Sequence, residues 1–143
     1  MNFIEVNGFR LHYRFDGEED LPVLVLSNSL GTDFPMWNTQ IETLTQHFRV
    51  LRYDTRGHGE SGVPTGPYTI EQLGQDVIGL LDGLGIERAH FAGVSVGGMT
   101  GMWLALNVPE RLGNLRFAIR LLSSGLVKFG MQEFQLLVME EWK

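Results

Sequence analysis

The 143-residue chain contains no cysteine. Disulfides, thiolate catalysis and cysteine-ligated zinc or iron–sulfur sites are therefore excluded, in any compartment. Positive charge is also scarce, with 11 Lys and Arg against 17 Asp and Glu and a formal net charge of −6. That balance leaves no surplus of cations to neutralise phosphates, so nucleic acid is not the expected partner. No apolar run approaches the ~20 residues that a membrane-crossing helix needs. The first residues, Met1 to Val6, carry an acid where a secretory leader has a basic start. The expectation is a cytoplasmic protein with no membrane partner.

The chain does have enough apolar material to fold. Hydrophobic residues make up 43% and charged residues 20%, and 143 residues suffice for one core, so residues 1–143 are read as a single domain. Phe3 to Val6 and Phe9 to Phe15 are short runs of β-formers separated by Asn7-Gly8, a dipeptide that supplies the positive φ angles of a tight hairpin turn. Val23 to Leu26 is an uninterrupted apolar run of strand length, as for a strand covered on both faces. Arg49 to Tyr53 and Ala89 to Ala92 read as further strands, and Met36 to Thr45, Ile70 to Leu84 and Val96 to Asn107 as helices. Thr69 and Gln72 make a capping box for the second helix, and Gly85 suits the left-handed position that ends it. Strands alternating with helices predict an α/β fold, with a mostly parallel sheet and the opening hairpin added antiparallel at one edge.

Gly93-Val94-Ser95-Val96-Gly97 is a G-x-S-x-G sequence lying where a predicted strand hands over to a predicted helix. Such an abrupt turn forces its central residue into a strained backbone conformation, and glycines two before and two after remove Cβ atoms that would clash. Ser95 is thereby pushed out above the sheet as a candidate nucleophile. The Val96 amide, at the helix N-terminus, is a candidate donor to an oxyanion formed by its attack. A glycine-rich turn that only allows close packing, or cradles a phosphate, is the alternative. The loop after the central strand, Ser27 to Thr32, offers the Leu30 amide as a second oxyanion donor, although its residues equally suit an ordinary polar turn. Asp54 to Gly62 is a polar, glycine-rich loop for which a structural role is favoured. Asp54, Arg56 and His58 are suited to satisfy its backbone by hydrogen bonding and ion pairing.

Three blocks of residues resemble the α/β-hydrolases, and within them the 3-oxoadipate enol-lactonases. They are Ser27-Asn28-Ser29-Leu30-Gly31-Thr32 with Met36-Trp37, Arg52 to Ser61, and Gly93 to Leu104 closing at Pro109-Glu110-Arg111. The likeness runs from about Asn2 to Leu112. It implies hydrolysis of a small enol-lactone in aromatic catabolism, with Ser95 as nucleophile, the Leu30 and Val96 amides holding the oxyanion, and no cofactor. A general carboxylesterase or perhydrolase of the same superfamily is the other enzymatic reading.

The pattern then breaks. In this superfamily the triad acid and histidine follow the serine in the chain. Here no Asp or His follows Ser95, and His12, His47, His58 and His90 all precede it. Leu115 to Leu121 alternates apolar residues with Arg, as for an edge strand with one wet face. Gly125 to Lys143 reads as a terminal helix with Val127, Met131, Phe134 and Val138 in one apolar stripe. The expectation is a hydrolase domain short of its lid and last strands, weak or inactive as this chain. A non-enzymatic module is the alternative. An incomplete sheet edge or the terminal helix would then join it to a partner or, as a homo-oligomer, to itself.

Overall fold

The computed structural model describes residues 2–118. Its sequence opens with β1 (Asn2–Val6) and β2 (Phe9–Asp16), an antiparallel pair in which Asn7 and Gly8 take φ of 47° and 83°. Those positive angles are what a two-residue hairpin turn needs, and Asn and Gly adopt them at least cost. The central strand β3 (Val23–Ser27) follows, then a 3₁₀ turn (Phe34–Trp37), α1 (Asn38–Leu44) and β4 (Arg49–Tyr53). Next come α2 (Ile70–Gly83), β5 (Ala89–Val94), α3 (Val96–Asn107), a second 3₁₀ turn (Pro109–Arg111) and β6 (Leu112–Ala118).

The six strands form one sheet in the order β1-β2-β4-β3-β5-β6, parallel from β4 to β6 and antiparallel where β2 meets β4. β3 is hydrogen-bonded along both edges, and its pleat sends successive side chains to two faces that are both covered. Leu24 and Leu26 pack with Trp37, Leu44, Phe48 and Val50, while Val25 packs with Leu51, Val77, Leu80 and Phe91 on the other side. All three β3 residues are fully buried, each worth roughly 1.5–3 kcal/mol relative to exposure. The capping box is formed in both directions, Gln72 N to Thr69 Oγ1 and Thr69 N to Gln72 Oε1, and Gly85 ends the helix at φ 70°.

Two sequence readings need correction. Met36 to Thr45 is not one helix. A 3₁₀ turn starts earlier, at Phe34, because Pro35 suits a helix start and the buried Asp54 carboxylate accepts from Phe34 N at 2.9 Å. The strand expected over Leu115 to Leu121 begins at Leu112, in register with Ala89 across a local irregularity, and its expected end beyond Ala118 lies outside the described residues. Arg111 and Arg88 hold that start in place through the carbonyls of Glu87, Ile86 and Leu112, contacts that local composition does not reveal. The expected helix from Gly125 to Lys143 lies outside the described residues. Among the described residues no helix is long and apolar enough to cross a membrane.

Candidate active site

Topology prepares a crevice before any side chain is considered. From β3 the chain leaves to α1 and returns in β4 on one side, whereas from β5 it leaves to α3 and returns in β6 on the other. The outgoing loops of two neighbouring strands therefore diverge, and ligands of open α/β sheets bind at such a switch point, beyond the carboxyl ends of the strands. Ser27 pairs in register with Gly93, so the two loops leave side by side.

Ser95 occupies the turn between β5 and α3 with φ 56° and ψ −119°, a conformation that a non-glycine residue adopts only under constraint. The constraint is visible in the flanking glycines. A Cβ on Gly93 would run into the backbone of Gly97, and one on Gly97 into the carbonyl of Ser27. The first turn of α3 is thus pressed against the end of β3, and only glycine permits it. Serine at a helix start usually spends its hydroxyl on a cap, but the Ser95 side chain makes no such bond. The side chain is half-buried, and Val96, the first residue of α3, brings an amide that has no partner within the helix.

The loop after β3 is built from the inside. Asn28, fully buried, donates from Nδ2 to the Tyr53 carbonyl and accepts from Trp37 Nε1 at 2.7 Å. Beside it Ser27 Oγ and Tyr53 Oη share a 2.7 Å hydrogen bond, and burial pushes the Tyr53 phenol far above its ordinary value. From that anchored base, Ser29 to Thr32 forms a turn closed by Thr32 N on the Ser29 carbonyl, with Gly31 at φ 76°. Leu30 sits at its outer corner, 73% exposed.

The loop after β4 is held by buried charge. Asp54 accepts from Phe34 N, Glu60 N and His12 Nδ1, and Arg56 makes a bidentate pair with Asp76 of α2 at 2.6 and 2.8 Å. The Asp76 bond keeps the Arg56 guanidinium above its ordinary value. His58 Nδ1 meets the Arg56 carbonyl at 3.1 Å, and its Nε2 accepts from Gly31 N at 2.9 Å. Asp76 plays its part without having been singled out in the sequence, and the partners of Asn28 and His12, both named there, were not foreseen. Each works through a partner distant along the chain, and no local motif names that partner.

Leu30 and Val96 border one cavity of about 150 Å³, shared with Arg56, His58, Tyr68 and Leu73. A larger and more open hollow of about 350 Å³ lies at the opposite end of the sheet, between Val23, Arg88, His90 and Asn114. There burial, reinforced by Arg88, holds the His90 imidazole below its ordinary value, and its Nδ1 accepts from Asn114 N. Position decides between the two, because the smaller cavity lies at the carboxyl ends of the strands with the strained serine turn. Among the described residues no cluster of side chains suits a metal ion.

Known proteins agree with this architecture. Residues 22–117 match the alpha/beta hydrolase fold family. The 3-oxoadipate enol-lactonase 2 of Acinetobacter baylyi is 52% identical over 105 residues, covering 73% of this chain and 39% of that protein. The enol-lactonase from Burkholderia xenovorans LB400 superimposes with a TM-score of 0.79 at 57% identity, covering 80% of this chain and 45% of that one. Est816, described as an N-acyl homoserine lactone degrading enzyme, aligns with a TM-score of 0.73 at 35% identity, over 80% of this chain and 44% of its own. The chain therefore spans less than half the length of these relatives. With the sheet order, the strained serine turn and the family match in agreement, this chain belongs to the α/β-hydrolase family.

Proposed function

We propose that this chain carries the nucleophile and the oxyanion-binding groups of a serine hydrolase for small lactones or esters, an enol-lactone first among them. Ser95 Oγ gives its proton to a base and adds to the carbonyl carbon, and the Leu30 and Val96 amides hold the resulting oxyanion. Collapse breaks the ring C–O bond, the leaving oxygen takes a proton, and water releases the acyl group from Ser95. None of these steps uses a cofactor. The observation that carries the reading is the backbone of Ser95, at φ 56° between two glycines that cannot be larger, beside the start of α3. Relatives named as enol-lactonases, at 52% and 57% identity, support the substrate class.

A serine hydroxyl is a weak nucleophile until a base takes its proton, and loss of a triad histidine costs on the order of 10⁶ in kcat. No histidine follows Ser95 in these 143 residues. We therefore assign the chain a slow reaction of its own, with oxyanion binding alone giving about 10³ over water. Initial rates on p-nitrophenyl acetate and on 3-oxoadipate enol-lactone, with imidazole as an external base, test this. The expected result is an imidazole-dependent rate above the imidazole blank that disappears in Ser95→Ala. A rate that survives unchanged in Ser95→Ala would overturn the assignment.

A further inference from the structure

We infer that His58 is a positioning residue for the oxyanion loop, acting as a neutral imidazole that locks the turn carrying Leu30. The assignment rests on the two partners of the ring. Gly31 N can only donate, so Nε2, 2.9 Å away, carries no proton. The Arg56 carbonyl can only accept, so the proton of the neutral ring sits on Nδ1, 3.1 Å from it. Both nitrogens are engaged, and His58 therefore bridges the loop after β3 and the loop after β4.

The bridged bond is the sensitive one. In the turn from Ser29 to Thr32, Gly31 occupies the third position at φ 76° while Leu30 keeps a negative φ, the arrangement of a type II turn. Rotation of the Leu30–Gly31 peptide by about half a turn would convert it to type I, at little cost for a glycine. His58 accepts from the amide of that same peptide and so selects one of the two orientations. Its ground for doing so is firm, because Arg56 is fixed to α2 by the buried Asp76 pair. Catalytic relevance rests on the proposed role of the Leu30 amide; the tether itself does not.

Nitrogen-15 NMR of the full 143-residue chain separates the two. The wild-type His58 ring should show a protonated Nδ1 and an unprotonated Nε2. Hydrogen exchange at Gly31 should accelerate about tenfold in His58→Leu, the equilibrium value of one ordinary hydrogen bond. His58→Gln, which places an acceptor near the former Nε2, should restore slow exchange, with core amides such as Val25 unchanged in both variants. A protonated Nε2 in the wild type, or equal Gly31 exchange in wild type and His58→Leu, would overturn the inference. Acylation of Ser95 by p-nitrophenyl acetate in the presence of imidazole should fall in His58→Leu and recover in His58→Gln. Loss of acylation in every variant, with the exchange pattern intact, counts against the nucleophile reading and leaves the tether standing.

Discussion

Two loops meet at the carboxyl end of the sheet, and they are shaped by opposite means. Between β5 and α3 the chain turns sharply because side chains are missing. Gly93 and Gly97 let backbone touch backbone, and Ser95 takes up the strain. Between β4 and α2 the chain is held because side chains are present, with Asp54 and Arg56 buried and satisfied by His12, Phe34, Glu60 and Asp76. A shape made by omission is written in the local sequence. A shape made by partnership is written in pairs of residues that lie far apart, such as His12 with Asp54 and Arg56 with Asp76.

The sharpest way to break this contrast is to remove a partner. Asp76→Ala leaves the buried Arg56 guanidinium uncompensated and deprives Asn7 Nδ2 of its acceptor. Loss of one member of a buried pair costs about 3–5 kcal/mol, so urea unfolding should show a drop of that size. Replacing Arg56 as well with a leucine should recover part of it. If Asp76→Ala is neutral, the loop after β4 is not held by charge.

Next in size is the elbow. In Gly97→Val the new side chain meets the carbonyls of Ser27 and Asn28, which are backbone and cannot swing away. Overpacking of this kind costs roughly 1–3 kcal/mol, and a shift of α3 should also expose Gly98 and Thr100 to faster hydrogen exchange. Unchanged stability and exchange would mean that the turn tolerates a side chain, and the contrast between the loops would fail.

The smallest effect comes from the far end of the sheet. His90 is held below its unfolded value of 6.5 because burial and Arg88 oppose its charge. Near that value the unfolded chain binds a proton that the folded chain refuses, so stability falls as pH drops below about 6.5. His90→Asn keeps an acceptor for Asn114 N without the titration and should flatten the loss between pH 7.5 and 5.5, measured as urea midpoints. An identical pH dependence in the variant would remove His90 from the account.

The same contrast explains what could be read in advance. The hairpin, the central strand, the capping box and the serine turn were legible because each is marked by residues within a few positions of one another: Asn7-Gly8, Val23 to Leu26, Thr69 with Gln72, Gly93 with Gly97. The 3₁₀ turn at Phe34 and the early start of β6 were not, since Asp54 fixes the first and Arg88 and Arg111 the second. His58 stands between these cases. Its place in a glycine-rich loop was evident, whereas its bond to Gly31 joins two loops 27 residues apart.

The most direct test of the central claim is to find where an acyl group lands. Trypsin releases Ala89 to Arg111 as one peptide, which holds Ser95 and no lysine. After incubation of the full chain with p-nitrophenyl acetate and imidazole, fragmentation should place one acetyl group on Ser95, with no label on that peptide in Ser95→Ala. Acetylation confined to other residues, or equal on that peptide in both proteins, would contradict the assignment of Ser95 as nucleophile.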